Sequence, residues 1–269
     1  MDIYRAYAPF YDGSGQIRFA LLMAQYLTEL LQRHPVRSGG EPRRALDLAC
    51  GTGTLAVALA EDGWQTFGLD QSEAMLVFAR EKARAAGVGG RASFVQGDIR
   101  ALPASDRRPA PGATARQDRE WRSSFDLVTC IYDSLNYLLA EEDLARCFAG
   151  VSAALAPGGL FVADMNTRYF LEHDWPAFEA DERVGFIQVA HSRFDPAAST
   201  STMRLTGFVG DDERGYERFD ETHVERAYPP DTVATLLGDA GLRVEAAYEC
   251  FTFQPHHPRS QRIAWVARR

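Results

Sequence analysis

Three carboxylates lie in or directly after successive apolar segments of the N-terminal half, and a glycine turn follows the first of them. Asp47 lies inside the run Leu-Asp-Leu-Ala-Cys-Gly-Thr-Gly-Thr at 46–54, Asp70 closes the next apolar run, and Asp98 follows the third. The two glycines of that run would let a ligand approach bare backbone N–H groups at the start of a helix. The pattern predicts a site for a nucleotide-like cofactor.

The glycine turn alone leaves two cofactor classes open. The sequence at 51–56 fits the loose dinucleotide fingerprint, and Asp70 follows it by about 20 residues, as that fingerprint requires. Asp47 favours the second class, since a carboxylate there would repel a pyrophosphate but could bind the charged amino group of a methionine moiety. Lys82 is the only lysine, and Phe78 stands where a Tyr-x-x-x-Lys dehydrogenase pair would need tyrosine. S-adenosylmethionine is therefore favoured over NAD(P), and an NAD(P)-dependent oxidoreductase is the alternative.

The elements that must position these residues alternate between strands and helices. Helical periodicity over 16–34 precedes the alternation. Apolar runs predict strands at 44–50, 64–69, 91–96, 125–131 and 160–164, and helical patterns lie at 53–62, 72–86 and 141–155. Near-continuous apolar strands of this kind predict a parallel sheet covered on both faces. A helix over 230–240 and strands at 242–253 and 261–267 end the chain.

The segment before that last helix has a different character. Alternating β-formers at 183–194, 201–209 and 217–228 predict a three-stranded antiparallel insertion. We therefore expect three units, which are an N-terminal helical cap over 1–43, a cofactor-binding domain over 44–165 and 229–269, and a β insertion over 166–228 that serves as acceptor lid or dimer surface. Residues 103–124 are rich in proline, alanine and charge, and predict a surface loop, either a lid or a tolerated insertion.

The composition limits the partners. A formal charge of −8 and a pI near 5.3 argue against a nucleic-acid-coating surface, which would need a basic stripe. The four cysteines follow no metal or disulfide spacing, no apolar run approaches a bilayer-spanning length, and the first residues lack a secretory pattern. We expect a cytoplasmic protein that acts on a small molecule, with no metal, nucleic-acid or membrane partner, and with a homodimer left open.

The ordered motifs together resemble the class I S-adenosylmethionine-dependent methyltransferase family. The matching segments are 46–54, 68–76, 96–99, 125–128 and 155–159. The resemblance covers 44–165, and the C-terminal strands resemble the closing hairpin of the family. It implies an α/β fold with a Rossmann-like, doubly wound, seven-stranded, mostly parallel sheet that carries a small antiparallel β insertion. The Tyr-x(6)-Tyr-Asp segment at 4–12 resembles the small-molecule branch, which is similar to sugar N-methyltransferases and glycine-type N-methyltransferases.

The resemblance also implies contacts to S-adenosylmethionine. The glycine turn and Asp47 would hold the methionine part, Asp70 the ribose hydroxyls, and Asp98 with the Ile99 backbone the adenine edge. Met75 also fits an ordinary helix core. The implied cofactor-binding residues are Tyr11, Asp47, Ala49, Gly51, Gly53, Asp70, Gln71, Met75, Asp98 and Ile99.

Acceptor contacts are expected beyond strands four and five, because ligands bind at the carboxyl ends of parallel strands. The polar and aromatic residues there predict an acceptor site formed by Tyr132, Asn136, Asn166, Arg168 and Tyr169. The alternative is that Asp133 and Asn136 only cap turns.

The predicted catalytic set consists of His223, Tyr132 and Asn136. His223 is the candidate general base because histidine is the side chain that ordinarily changes charge near neutral pH, and a half-exposed strand histidine is the alternative interpretation. N-methylation is slightly favoured over O-methylation on the branch resemblance alone. A non-catalytic S-adenosylmethionine-binding module is the third hypothesis.

Overall fold

Two β-sheets organise the chain, which we describe from a computed structural model over residues 4–36, 40, 42–102, 121–211 and 213–269. The first sheet has seven strands and the second has four. The strands are β1 (Arg44–Leu48), β2 (Gln65–Asp70), β3 (Ala92–Gln96), β4 (Phe125–Cys130), β5 (Leu155–Asn166), β6 (Phe178–Arg183), β7 (Phe186–Asp195), β8 (Thr200–Asp211), β9 (Gly215–Arg226), β10 (Arg243–Glu249) and β11 (Arg262–Arg268).

The seven-stranded sheet has the order β10-β11-β5-β4-β1-β2-β3. Its pairs are parallel except at β11, which runs antiparallel to both of its neighbours. The strand order reverses at β1, so the carboxyl ends of β1 and β4 form the crevice in which ligands of such sheets bind. The predicted α/β fold with a doubly wound, mostly parallel sheet is confirmed.

Helices cover both faces of this sheet. They are α1 (Ala8–Tyr11), α2 (Ile17–Arg33), α3 (Thr54–Glu61), α4 (Glu73–Ala85), α5 (Glu141–Ala154) and α6 (Pro230–Asp239). Neighbouring residues of β5 enter different core clusters, with Phe161 packed on the side of α5 and Leu160 on the side of α2. The near-continuous apolar strands follow from this burial on two faces. The predicted N-cap of α4 is also present, because the Ser72 hydroxyl accepts from the backbone N–H of Met75.

The second sheet is antiparallel, with the order β6-β7-β8-β9, and lies between β5 and α6 in the chain. The prediction of three strands is wrong, since β6 is a fourth. Its sequence, Phe-Glu-Ala-Asp-Glu-Arg, is mostly charged and exposed, so it carries no apolar alternation, and its pairing with β7 comes from backbone hydrogen bonds. Gly185, at φ +77°, forms the turn that separates the two strands.

The N-terminal segment packs against the second sheet. The ring of Phe10 stacks on Phe186 of β7 at 5.0 Å between centroids, and Arg183 donates a hydrogen bond to the carbonyl of Gly13 over 2.9 Å. Within the described ranges, no helix is both long and apolar enough to cross a membrane. The loop predicted at 103–124 falls mostly at 103–120, outside the described residues.

Candidate active site

The turn between β1 and α3 has a backbone that few residues adopt. Ala49, Gly51 and Gly53 all have positive φ, at 51°, 53° and 73°. A Cβ on Gly53 would come within 2.8 Å of Ala79 Cβ, so the missing side chain allows α3 to pack closely on α4. A Cβ on Gly51 would meet nothing within 4 Å. The turn is therefore tightly packed behind Gly53 and open at Gly51, where a ligand can approach.

Asp70 closes β2 and connects it to this turn. One carboxylate oxygen accepts from the backbone N–H of Gly51 over 2.8 Å, and the other accepts from Ser72 over 2.8 Å. Burial raises the pKa of Asp70, and these two N–H donors act in the opposite direction. Each oxygen keeps a further lone pair, which a ribose hydroxyl could use.

Asp47 is a buried carboxylate whose hydrogen-bond donors among the described residues are uncharged. It is 2% exposed, and its Oδ1 accepts from the Thr129 hydroxyl over 2.7 Å. Burial raises the pKa of Asp47 to about 7, while hydrogen bonds from Thr129 and the Ala56 backbone lower it and the Asp70 charge raises it. A positively charged ligand group beside this carboxylate would stabilise its ionised form.

The residues predicted for the adenine side lie at the ends of β2 and β3. Gln71 is exposed, whereas Met75 and Ile99 are 3% and 6% exposed. Asp98 accepts from Arg100 Nε over 2.9 Å. Burial would raise the pKa of Asp98, but the hydrogen bonds from Arg100 lower it below its ordinary value. The burial of Met75 is equally that of a core residue, and its contact with cofactor stays a prediction.

Asp12 ties the N-terminal segment to the glycine turn. Asp12 Oδ1 accepts from the Thr52 hydroxyl over 2.7 Å, and its Oδ2 lies 2.8 Å from Lys82 Nζ. These two contacts of Asp12 place Tyr11 beside the turn. The Tyr11 ring packs edge-on against Tyr4, with 5.9 Å between the ring centroids. The segment thus connects the turn to a second group of polar residues.

That group, here called the acidic cluster, consists of Asp133, Asn166, Glu221, His223 and Glu225. Asp133 follows β4, Asn166 ends β5, and the other three alternate along one face of β9. All are largely buried, with His223 and Glu225 each 2% exposed. The cluster therefore stands beyond the carboxyl ends of β4 and β5, where acceptor contacts were expected.

His223 is fully engaged within the cluster. Its Nδ1 lies 3.1 Å from the Tyr137 hydroxyl, and its Nε2 lies 3.3 Å from a carboxylate oxygen of Glu221. The ring of Tyr4 packs on the imidazole at 5.0 Å, and the Tyr4 hydroxyl bonds Tyr137 over 3.0 Å. Since both ring nitrogens have protein partners, the geometry does not support the predicted general-base role.

Tyr132 stands next to the cluster in a strained backbone. Its φ is +59° and that of Asp133 is +53°, and the backbone N–H groups of both donate to the buried Asp164, over 2.7 and 3.1 Å. The Tyr132 hydroxyl donates to Gln16. Arg262 of β11 pairs with Asp164 and lies 3.4 Å from Asp133. This charge pairing fixes the strained turn against the end of β5.

The structure does not place Asn136, Arg168 or Tyr169 at the cluster as ligands. Asn136 is fully buried, and its amide donates to the carbonyls of Asn166 and Arg226 while accepting from the Asn166 N–H. Asn136 therefore bridges the backbone of Asn166 and Arg226. Its amide is engaged in these bonds, so it is unsuited to the predicted catalytic and acceptor roles. Arg168 is half-exposed and pairs with Glu172. Tyr169 packs on His173.

Several residues of this region were missed from the sequence. They are Glu221, Glu225 and Arg262. The alternation Glu-Thr-His-Val-Glu at 221–225 places three titratable groups on one face of a strand, which is a signal that could have found two of them.

A separate groove of about 250 Å³ lies between α2 and α3. Its lining includes Arg43 and Trp64, which precede β1 and β2. It therefore opens at the amino ends of the strands, at the opposite edge of the sheet from Gly51.

Comparison with known proteins identifies the family of the chain. A family model described as a methyltransferase domain matches residues 41–195, which is more than half of the chain. The chain belongs to this methyltransferase family. The resemblance to S-adenosylmethionine-dependent methyltransferases seen in the motifs is thereby confirmed, and the NAD(P)-dependent oxidoreductase alternative is wrong.

Three similar proteins align with most of this chain. A candidate methyltransferase from Geobacillus sp. (strain WCH70) is 34% identical over 230 residues, which are 84% of this chain and 85% of that one. A dTDP-3-amino-3,4,6-trideoxy-α-D-glucopyranose N,N-dimethyltransferase from Streptomyces venezuelae is 28% identical, over 76% of this chain and 77% of its own. The crystal structure of an S-adenosylmethionine-dependent methyltransferase from Clostridium acetobutylicum is similar with a TM-score of 0.78 and 27% identity, over 98% of both chains.

The cofactor of the methyltransferase is S-adenosylmethionine, and the residues at the turn fit it. Gly51 leaves open space for a ligand, and Asp47 offers a buried carboxylate without a cationic partner among its recorded contacts. The methionine part of S-adenosylmethionine carries an ammonium group, which suits that carboxylate. Its sulfonium carries the electrophilic methyl group. The enzyme is thus an S-adenosylmethionine-dependent methyltransferase rather than a non-catalytic module.

We expect Asp70→Ala to weaken S-adenosylmethionine binding by about 1–3 kcal/mol, because hydrogen bonds to the ribose are lost. Isothermal titration with S-adenosylmethionine and S-adenosylhomocysteine would measure the change, and both ligands should lose affinity equally because they share the ribose. The exposed Glu81 of α4 provides the matched control Glu81→Ala, which should leave both affinities unchanged. An unchanged affinity in Asp70→Ala would contradict the ribose role.

Proposed function

We propose that the methyltransferase transfers the methyl group of S-adenosylmethionine to the nitrogen of a small-molecule amine. The acidic cluster carries this proposal. It offers three buried or nearly buried carboxyl side chains at the acceptor end of the site, those of Asp133, Glu221 and Glu225. A buried carboxyl group without a full set of partners is costly, so a cationic acceptor is the ligand that such a site would favour.

The charge balance distinguishes amine from hydroxyl acceptors. An alkyl amine is an ammonium ion near neutral pH and is attracted by carboxylates, while an alcohol is neutral and its alkoxide would be repelled. Arg262 is a nearby cation, and its guanidinium is already paired with Asp164 and lies 3.4 Å from Asp133. Nitrogen methylation therefore agrees better with the cluster than oxygen methylation does. The Streptomyces venezuelae relative, named as an amino-sugar N,N-dimethyltransferase, lends support.

The proposed roles follow from the positions of the side chains. Asp47 would hold the amino group of the cofactor and Asp70 its ribose, while Tyr11 would close over the methionine end. The rings of Tyr4 and Tyr137 would form the wall on which the acceptor rests. Burial raises the pKa of Tyr4, Tyr11 and Tyr137 well above the ordinary value, so these hydroxyls stay neutral and exclude water without adding charge.

The proposal predicts a preference between matched acceptors. We expect an amino-sugar nucleotide such as the dTDP-3-amino substrate of the relative, or a simpler amine, to be methylated about 10- to 100-fold more efficiently than its hydroxyl analogue, the range that one hydrogen bond to a charged group provides. Mass spectrometry of product and release of S-adenosylhomocysteine would measure kcat/KM for each pair. Faster methylation of the hydroxyl partner would contradict nitrogen methylation.

The cytoplasmic location and the homodimer stay predictions. Cys50, Cys130, Cys147 and Cys250 are all free thiols, as a reducing compartment would leave them.

A further inference from the structure

The acidic cluster contains two carboxyl groups that share one donor. The side-chain amide nitrogen of Asn166 donates to Asp133 Oδ2 and to Glu225 Oε2, over 2.8 Å in both cases. Asn166 and Glu225 are 3% and 2% exposed. Two carboxyl groups held this closely in a buried site cannot both carry a full charge at low cost, and one proton shared between them relieves the repulsion.

The electrostatic surroundings of Glu225 support a shared proton. Burial raises the pKa of Glu225 well above its ordinary value, and the Asp133 charge raises it further. The hydrogen bond from Asn166 and the charge of Arg262 lower it. Tyr4 and Tyr137 also face the carboxyl group, and both remain neutral hydroxyls. Along β9 itself, His223 and Glu221 face the same side and are paired with each other.

The cluster has more hydrogen-bond acceptors than donors. Asn166 Oδ1 and Glu221 Oε1 are buried and have no hydrogen-bond partner among the described residues. The other Glu221 oxygen accepts from the backbone N–H of Tyr4 over 3.0 Å. Arg262 lies near Asp133, but these two unpartnered oxygens still have no N–H donor in the described part of the chain, and an ammonium group would supply donors together with a positive charge. The rings of Tyr4 and Tyr137 add faces on which a cation is favourable.

The cluster and the cofactor turn lie at neighbouring strand ends. Asp133 follows β4, which pairs directly with β1, and Asp47 of β1 accepts from Thr129 of β4. The segment from Tyr4 to Asp12 contacts both, because Tyr4 packs on His223 of the cluster and Asp12 accepts from Thr52 at the turn. A group bound by the cluster would therefore lie beside the methyl end of the cofactor.

We propose that the Asp133–Glu225 pair binds the acceptor ammonium and takes one of its protons before methyl transfer. This assignment rests on the proposed amine N-methylation. On binding, the ammonium displaces into solvent the proton that the pair shares. It then gives one of its own protons to the pair, which leaves a neutral amine with a free lone pair and a singly protonated pair. The lone pair forms the new N–C bond, and the C–S bond breaks with its electrons left on sulfur. The methylated ammonium then leaves, and the pair keeps its shared proton, as before the acceptor bound.

The S-adenosylmethionine analogue sinefungin tests the cation site without an acceptor, because a carbon-bound amine replaces its sulfonium methyl. We expect Glu225→Gln to weaken sinefungin binding by about 10- to 100-fold while S-adenosylhomocysteine, which lacks that amine, loses less than about twofold. Asp133→Asn should act in the same direction. Asp220→Asn, on the same strand but exposed, is the matched control and should change neither affinity. Equal losses for both ligands, or no loss, would overturn the assignment.

The wild-type enzyme provides a second measurement that needs no folded variant. Titrations in buffers of different ionisation enthalpy count the protons exchanged on binding. Sinefungin should release up to about one proton more than S-adenosylhomocysteine does near neutral pH, because its ammonium displaces the proton that the pair shares. Equal proton counts for the two ligands would mean that the pair holds no cation.

Turnover measurements distinguish the proposed role of the Asp133–Glu225 pair from the proposed amine N-methylation on which it rests. With an amine that the wild type methylates, Glu225→Gln should lower kcat by about 100-fold or more, and raising the pH should restore part of it because solvent then deprotonates the amine. A kcat that stays unchanged would overturn the proton-accepting role. If no amine is methylated while sinefungin selectivity holds, the amine function fails and the cation site stands.

Discussion

Replacing Asp47 with asparagine is expected to stabilise the unliganded protein and to weaken its binding of S-adenosylmethionine. The carboxyl group is 2% exposed, and burial raises its pKa to about 7 from an ordinary value of 3.8. At 1.36 kcal/mol per pKa unit, keeping it ionised in the folded state costs about 4 kcal/mol above pH 7. Asparagine carries no charge and can still accept from the Thr129 hydroxyl, so it removes most of that cost.

The sign of the pH dependence follows from the raised pKa. The folded protein binds a proton at Asp47 more tightly than the unfolded chain does, so this residue destabilises the fold above pH 7, and the penalty disappears as the pH falls toward 4. We expect Asp47→Asn to gain about 2–4 kcal/mol of unfolding free energy near pH 8 and about half of that near pH 5.5. Denaturant unfolding at both pH values would measure the gain.

The same substitution should remove the pH dependence of cofactor binding. In the role proposed for Asp47, the cofactor ammonium pairs with the ionised carboxylate, so wild-type affinity should fall by up to about tenfold per pH unit below 7. In Asp47→Asn the affinity should be about 10- to 100-fold lower near pH 7.5 and nearly flat below it. The exposed Asp62, at the end of α3, supplies the control Asp62→Asn, which should leave stability and affinity as in the wild type. A variant that binds as tightly as the wild type would show that Asp47 does not hold the amino group.

The meeting of the glycine turn with Asp70 could be predicted from the sequence because its signals are local. The apolar run around Asp47, the glycine turn and Asp70 lie within a short stretch, and β1 and β2 pair in parallel, so their carboxyl ends must meet. The contact of Asp70 with Gly51 over 2.8 Å is the outcome of that constraint. The parallel sheet covered on both faces followed in the same way from the alternation of strands and helices.

The acceptor half could not be predicted, because its residues come from elements far apart in the chain. Glu221 and Glu225 look like the polar face of an exposed strand, and only the packing of β9 against the turn after β4 buries them. Asn136 shows the reverse error. A polar residue in a loop suggests a ligand contact, yet the Asn136 amide is hydrogen-bonded to backbone groups. No local sequence pattern reveals those bonds.

Arg262 was missed for the same reason, and replacing it is expected to have the largest effect on stability. Its guanidinium pairs with Asp164, which is fully buried, and lies 3.4 Å from Asp133. Burial would lower the pKa of Arg262, but the charges of Asp133 and Asp164 raise it. Arg262→Met would leave two carboxylates without their cation, so we expect a loss of about 3–5 kcal/mol of unfolding free energy. The exposed Arg259, three positions earlier, gives the matched control Arg259→Met, expected to be within about 0.5 kcal/mol of wild type.

A double variant tests the cause of the lost stability. The cause is either the unpaired carboxylate charge or the lost packing on Phe19 and Tyr132. The guanidinium of Arg262 lies 4.6 and 5.7 Å from the centres of these two rings. In Arg262→Met with Asp164→Asn, no charge remains at position 164. The amide oxygen can accept from only one of the backbone N–H groups of Tyr132 and Asp133, because these donate to different oxygens of Asp164. Part of the lost stability should therefore return. Lowering the pH should act in the same direction on the single variant, since burial already raises the pKa of Asp164 and a protonated carboxyl needs no cation. If neither the second substitution nor acid reduces the deficit, the role of Arg262 is packing, and the strained turn at Tyr132 is held without its charge.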